Sequence, residues 1–250
     1  MSFVKGVFLP CRRDGKATRQ CSKMPAGRHG PFLFMIGESL DVRGFTSEMK
    51  TGLNWCILQS GENEAMEITK LDPKEKKGLI VVITGYGKGK TTSALGIALR
   101  ACGHDMPVCI IQFMKGDLYA GEWDGVKKMG CRVELIPTGK GFCGIQGNPY
   151  PFKEHRANAQ DAIRLTHEKM DSGQFDILIL DEINNALHLG LVDLEQVLKI
   201  IERKPPLMHL VLTGRDAHPK VIELADTVSE VVEIKHAYRK GIEPQPGIDY

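Results

Sequence analysis

The stretch Leu79-Ile80-Val81-Val82-Ile83-Thr84-Gly85-Tyr86-Gly87-Lys88-Gly89-Lys90-Thr91-Thr92 decides the fold. An apolar run of strand length ends in a glycine-rich turn, and a helical pattern, Lys90–Cys102, follows at once. Glycines let such a turn fold tightly and aim its backbone N–H groups inward. The helix N-terminus adds the positive end of its dipole, Lys90 can reach a phosphate, and the Thr91 hydroxyl can ligate Mg²⁺. The usual phosphate-loop spacing is G-x-x-x-x-G-K-[ST]. Here Thr84 occupies the first glycine position, and Gly85 opens a loop one residue shorter. A glycine-rich turn alone is weak evidence, but a strand before it, a helix after it and the G-K-T-T ending make residues Gly85 to Thr92 a phosphate-binding candidate.

Working outward, apolar runs of strand length recur at Leu79–Thr84, Val108–Phe113, Arg132–Ile136, Ile177–Asp181, Leu207–Thr213 and Val231–Ile234. Helical patterns lie between most of them, at Lys90–Cys102, Glu154–Asp171, Leu194–Glu202 and Pro219–Ala225. Strands alternating with helices predict an α/β, P-loop NTPase-like domain, its mostly parallel sheet covered by helices on both faces. Phe175 to Glu182 reads as an apolar strand ending in two carboxylates, and at a strand's carboxyl end Asp181 and Glu182 can hold Mg²⁺. The residues alone do not divide that role between them. Arg215, after the strand ending at Thr213, is placed to meet charge on a leaving phosphate group.

Upstream of Gly78 the character differs. Residues 1–30 hold seven basic side chains against Asp14 alone, whereas residues 78–250 hold 20 basic and 22 acidic ones; the whole chain nets only +2. Residues 1–77 show no sustained helical or strand period and end in the charged linker Asp72–Lys77. They are expected to be an N-terminal extension, either disordered or an artefact of the gene model, with residues 78–250 as the catalytic domain. Met66 opens a natural-looking enzyme start, and the codons for Gly61-Glu62 resemble a ribosome-binding sequence, so translation is expected to begin there. No apolar run approaches the roughly 18 residues of a membrane span, and the N-terminus lacks the apolar core of a secretory signal. The seven cysteines include no C-x-x-C pair; reduced structural thiols in a cytoplasmic protein are expected, Cys102, Cys109 and Cys131 behaving as small hydrophobes. The histidines (His155, His167, His188, His209, His218, His236) lack the i, i+4 spacing of a metal helix and read as surface, capping or packing residues.

A phosphate site does not name a reaction. The blocks GLIVVITGYGKGKTTSALGIALRACGH, QFMKG, Gly121-Glu122, DILILDEINNAL, VLTGRDAHPKVIELADTVSEVVEIKHAY and GIEPQPGIDY, in that order from Gly78 to Tyr250, resemble the ATP:corrinoid adenosyltransferases of the cobalamin pathway. The shortened loop is itself that family's variant, with Tyr86 where Asn or Asp is usual. The resemblance implies transfer of the 5′-deoxyadenosyl group of ATP to the Co(I) centre of a reduced corrinoid, with release of triphosphate. It implies Lys88 and Lys90 as charge partners of the phosphates, Thr91, Asp181 and Glu182 around Mg²⁺, and Gln112 and Glu122 lining the site. Phe142 stands where some members carry an aromatic pair facing the corrinoid; no Trp accompanies it here. Tyr86 either packs on a substrate or covers the turn. The resemblance further implies a homodimer and a flavoprotein or other low-potential reductant as partner.

Three other readings compete with this one. A P-loop ATPase or kinase releasing ADP shares the loop and the DILILDE strand but leaves QFMKG, TGRDAHP and GIDY unexplained. A sensor that binds without turnover is hard to reconcile with intact G-K-T-T and D-E. Nucleic-acid binding through the basic N-terminal arm lacks an aromatic–basic strand motif, and the rest of the chain is slightly acidic.

Overall fold

The structure is a computed structural model, and it describes residues 71–116, 119–141, 143 and 148–250. The expected translation start at Met66, and all of the extension before Leu71, lie outside the described residues.

Six strands form one sheet: β1 (Ile80–Thr84), β2 (Val108–Gln112), β3 (Val133–Pro137), β4 (Ile177–Asp181), β5 (His209–Thr213) and β6 (Thr227–Glu230). Their spatial order is β3-β2-β4-β5-β1-β6, and every neighbouring pair is parallel. Parallel neighbours need crossovers, which α1 (Lys90–Cys102), α2 (Glu122–Lys128), α3 (Phe152–Asp171), α4 (Ile183–His188), α5 (Leu194–Arg203) and α6 (Pro219–Leu224) supply. The alternation of side chains along each strand divides the core in two. Ile177 and Ile179 of β4 face the α1 side with Ala94, Ala98 and Ala101, while Leu178 and Leu180 face α3 and α5 with Ala159, Ala162, Val197 and Ile200. Both faces are therefore covered, and the central strands β2 and β4 are buried at all five positions. Among the described residues no helix is long and apolar enough to cross a membrane.

Two expectations need correction. The last strand is Thr227–Glu230, not Val231–Ile234. It is an edge strand, exposed at all four positions, so no apolar pattern marks it. The backbone just after it lies against the glycine loop that follows β1, where the Val231 carbonyl accepts a hydrogen bond from the Gly87 N–H at 2.7 Å, while the Val232 and Ile234 side chains are exposed. Second, Cys102 and Cys131 form a disulfide, their Cα atoms 5.6 Å apart. They meet because the end of α1 and the turn before β3 converge at the amino edge of the sheet, a proximity no local spacing could reveal. Cys109 does behave as a buried hydrophobe; burial pushes its thiol up to about 12.

Candidate active site

The loop after β1 takes its shape from a segment far along the chain. Gly85 has φ +97°, and a Cβ there would lie 2.5 Å from the Val231 carbonyl oxygen, so only glycine fits. Lys90 leads α1 and turns its ammonium back over the loop, donating to the Gly87 carbonyl at 2.8 Å. Burial, helped by the Arg215 charge, holds that ammonium below its ordinary range against the opposing pull of Glu182 and Asp181. The Tyr86 hydroxyl donates to Asp216 at 2.7 Å, and the Arg215 guanidinium sits 5.6 Å from the Tyr86 ring centre. Tyr86 thus ties the loop to the turn after β5. Lys88 is ion-paired with Asp249 at 2.7 Å.

Because β5 lies between β1 and β4, its carboxyl end stands beside both the loop and Asp181. Asp181, fully buried, accepts from the Thr213 hydroxyl at 2.7 Å, the Thr91 hydroxyl at 3.0 Å and Gln112 Nε2 at 3.2 Å. Three donors fix this carboxylate with no free rotation left. Glu182 differs. Its backbone is left-handed (φ +64°), its N–H donates to Thr213 Oγ1 at 2.9 Å, and its Oε2 is buried without a partner. Burial, then the Asp181 charge, raise its carboxyl to about 7 despite Lys115, Lys90 and Arg215.

A third group arrives from β2 and α2. Gln112 is fully buried at the end of β2 and bridges Asp181 to Glu122 Oε1 (3.2 Å), while Trp123 Nε1 donates to Gln112 Oε1 at 2.8 Å. Lys115 donates to Glu122 at 2.7 Å. Burial works against the Lys115 ammonium, but Asp181, Glu122 and Glu182 together hold it above its ordinary range. Burial likewise works against the Glu122 carboxylate, and the Lys115 bond outweighs it and lowers the pKa. Three oxygen donors, Thr91, Asp181 and Glu182, thus gather between two lysines and an arginine. Such a set suits a hard cation carried on a polyphosphate.

Comparison with known proteins gives this arrangement its context. Residues 76–250 match the family of ATP:corrinoid adenosyltransferases BtuR/CobO/CobP. The chain belongs to that family. It is 36% identical to a corrinoid adenosyltransferase of Sinorhizobium over 217 residues, covering 86% of this chain and all of that protein. A corrinoid adenosyltransferase of Pseudomonas aeruginosa is 35% identical over 177 residues, covering 71% of this chain and 86% of the relative. One of Escherichia coli is 31% identical over 192 residues, covering 77% and 95%. The reaction is therefore transfer of the adenosyl group of ATP to a corrinoid in cobalamin biosynthesis, and the ATPase or kinase alternative is not favoured.

In this adenosyltransferase the residues singled out in the sequence converge on one edge of the sheet, save one. Gly85 to Thr92, Gln112, Glu122, Asp181, Glu182 and Arg215 all lie at or just beyond the carboxyl ends of β1, β2, β4 and β5. Phe142 lies outside the described residues. Lys115 in the QFMKG segment and Thr213 at the end of its strand lay within the stretches read in the sequence, but neither was given a role of its own there, and none was given to Trp123 or Asp249. Thr213 carried a faint signal, a polar residue closing an apolar strand. Asp249 lay in the quoted ending GIEPQPGIDY, but nothing local tied it to Lys88, since only the folded tail brings the two together. Among the described residues no cluster of three His, Cys, Asp or Glu side chains could hold a metal, and His218 and His236 cap helical turns.

Proposed function

We propose that this carboxyl edge holds ATP with its C5′ carbon open to the cobalt of a reduced corrinoid, and that the chain's residues serve departure of the triphosphate. The carrying observation is Asp181, locked by Thr91, Thr213 and Gln112 beside a Glu182 oxygen that has no partner. Co(I) supplies the electron pair: a Co–C bond forms, the C5′–O bond breaks, and triphosphate leaves. No side chain has to act as base, so the protein's task is position and charge. The backbone of Gly85, Tyr86, Gly87, Gly89 and Thr92 cradles the phosphates. Lys90 is the catalytic cation over the loop, and Lys88 and Arg215 add charge at the departing group. Thr91, Asp181 and Glu182 hold Mg²⁺, which supplies charge neutralisation on the triphosphate. In this reading Asp181 is the fixed anchor, and Glu182 the ligand whose buried oxygen awaits a cation. Gln112 and Glu122 line the approach of the corrinoid, with Lys115 keeping Glu122 ionised; by family resemblance Phe142 belongs to the corrinoid side.

Residues 78–250 constitute the catalytic domain and the preceding residues an extension to it. The Sinorhizobium match covers more of the chain than that domain alone supplies, so part of the extension has a counterpart in a relative. On family resemblance the enzyme works as a cytoplasmic homodimer, fed with corrinoid reduced by a flavoprotein or other low-potential donor. The test is an anaerobic assay with MgATP and chemically reduced corrinoid, following the Co–C bond by absorbance and the phosphate products by chromatography. Wild type gives the Co–C product with triphosphate, and Lys90→Ala lowers the rate about 10²–10³-fold. ADP as product, with no Co–C bond, overturns the reading.

A further inference from the structure

The last ten residues carry an observation the reaction does not require. After the turn at Ala237–Lys240, Gly241 (φ +73°) redirects the chain, and residues 241–250 are all exposed. This tail nevertheless reaches two distant parts of the site. At one end Asp249 pairs with Lys88 in the loop after β1. At the other, the Tyr250 backbone lies against Gly121, so closely that a Cβ on Gly121 would sit 3.3 Å from the Tyr250 carbonyl carbon. Gly121 begins α2, after β2, and in the sheet β5 and β4 separate β1 from β2. The tail is therefore a strap across the carboxyl edge, over the strands that carry Thr213 and Asp181.

The strap is built to present one carboxylate. Asp249 Oδ2 accepts the Gln245 N–H at 2.8 Å, the Asp249 N–H donates to the Gln245 carbonyl at 2.8 Å, and the Gly247 N–H donates to the Tyr250 carbonyl at 2.7 Å. This closed turn leaves Oδ1 facing the Lys88 ammonium. Beside this contact opens a cavity of about 260 Å³, lined by Lys88 of the loop and by Tyr238, Ile242 and Ile248 of the tail among others. An exposed segment held by little packing opens at small cost. A carboxylate oxygen bound to a phosphate-loop lysine occupies the coordination that a phosphate oxygen would take.

We propose that Asp249 is an intramolecular competitor for the triphosphate: it holds Lys88 in the nucleotide-free enzyme, and the arriving polyphosphate displaces it and releases the strap. The inference rests on the reading of Lys88 as a phosphate ligand. It is tested by calorimetric titration of the full chain with inorganic tripolyphosphate and Mg²⁺, with no corrinoid present. An exposed ion pair is a weak competitor, so Asp249→Asn should tighten tripolyphosphate binding roughly 2–5-fold. In a Lys88→Ala background the same substitution should change nothing, because the two residues act as one unit. Amide exchange in residues 242–250 should rise when tripolyphosphate is bound. Unchanged or weaker binding by Asp249→Asn overturns the proposal, as does equal tightening in both backgrounds, which marks a general field effect. Tripolyphosphate binding by wild type with no Asp249 effect leaves the site reading intact and removes only this inference. No binding by wild type removes both.

Discussion

At the scale of single residues, two adjacent carboxylates end one strand in unlike states. Asp181 points into a ring of donors, and Glu182, turned by a left-handed backbone, keeps an oxygen without one. The unfolded chain releases the Glu182 proton near the ordinary 4.5, and the folded protein keeps it to about 7. Between those values the folded state holds a proton that the unfolded state has lost, so stability without nucleotide falls as pH rises through that window. The loss across the whole window is on the order of 3 kcal/mol. Glu182→Gln should flatten the slope between pH 5 and 7 in urea unfolding of nucleotide-free protein, while weakening Mg²⁺-dependent ATP binding in the same variant. Thr213→Val removes a 2.7 Å bond to a buried carboxylate, a loss of about 1.5–3 kcal/mol. The rate at saturating ATP should fall and the Mg²⁺ concentration for half-maximal rate should rise, both read from a Mg²⁺ titration of the Co–C product. Strand periodicity made Asp181 and Glu182 visible in the sequence. Their difference was not, because it depends on Thr213 and Gln112, which reach Asp181 only when β5 and β2 flank β4.

At the scale of elements, the turn after β5 joins the phosphate loop to the end of β4. Gly214 has φ +131°, and a Cβ there would lie 2.6 Å from Asn185 Oδ1 and 2.8 Å from Asn185 N. The same Asn185 Oδ1 accepts the Arg215 N–H at 2.5 Å. Gly214→Ala should lower stability by about 2 kcal/mol through backbone strain. It should also cut turnover, because Arg215 loses its seat; thermal melting and the adenosylation rate, measured on one preparation, check both. The helices bracketing this site were legible: Lys90–Cys102 is where its period places it, and Leu194–Arg203 differs by one residue. The short α4 (Ile183–His188) escaped, being too brief to show a period. The edge strand β6 escaped because an exposed strand needs no apolar pattern.

At the scale of the whole molecule, the site lies at one edge of the sheet and the Cys102–Cys131 disulfide at the other. The bond closes a loop with a sequence separation of 29, and losing it should lower stability by about 2–4 kcal/mol. Denaturant unfolding with and without reductant measures that loss, and a native thiol titration should gain two groups on reduction. Adenosylation by the reduced protein should stay within about twofold of the oxidised, since the bond touches no residue of the site. The overall architecture was readable from alternating strands and helices, and the activity from motifs kept in order along the chain. The disulfide and the Asp249 contact were not readable, because both join residues through the tertiary fold.

The placement of β1 governs the order in which the molecule can become functional. Its neighbours in the sheet are β5 and β6, made more than a hundred residues later, and its glycine loop is shaped against Val231. A growing polypeptide that has emerged only through β4 already contains every residue from Gly85 to Glu182, yet β1 has no strand to pair with and the loop nothing to fold against. Ribosome-bound chains halted before Thr227 should therefore fail to retain ATP, and those extended past Val232 with room to clear the exit tunnel should retain it. On that outcome nucleotide capture would report that synthesis has gone nearly to completion.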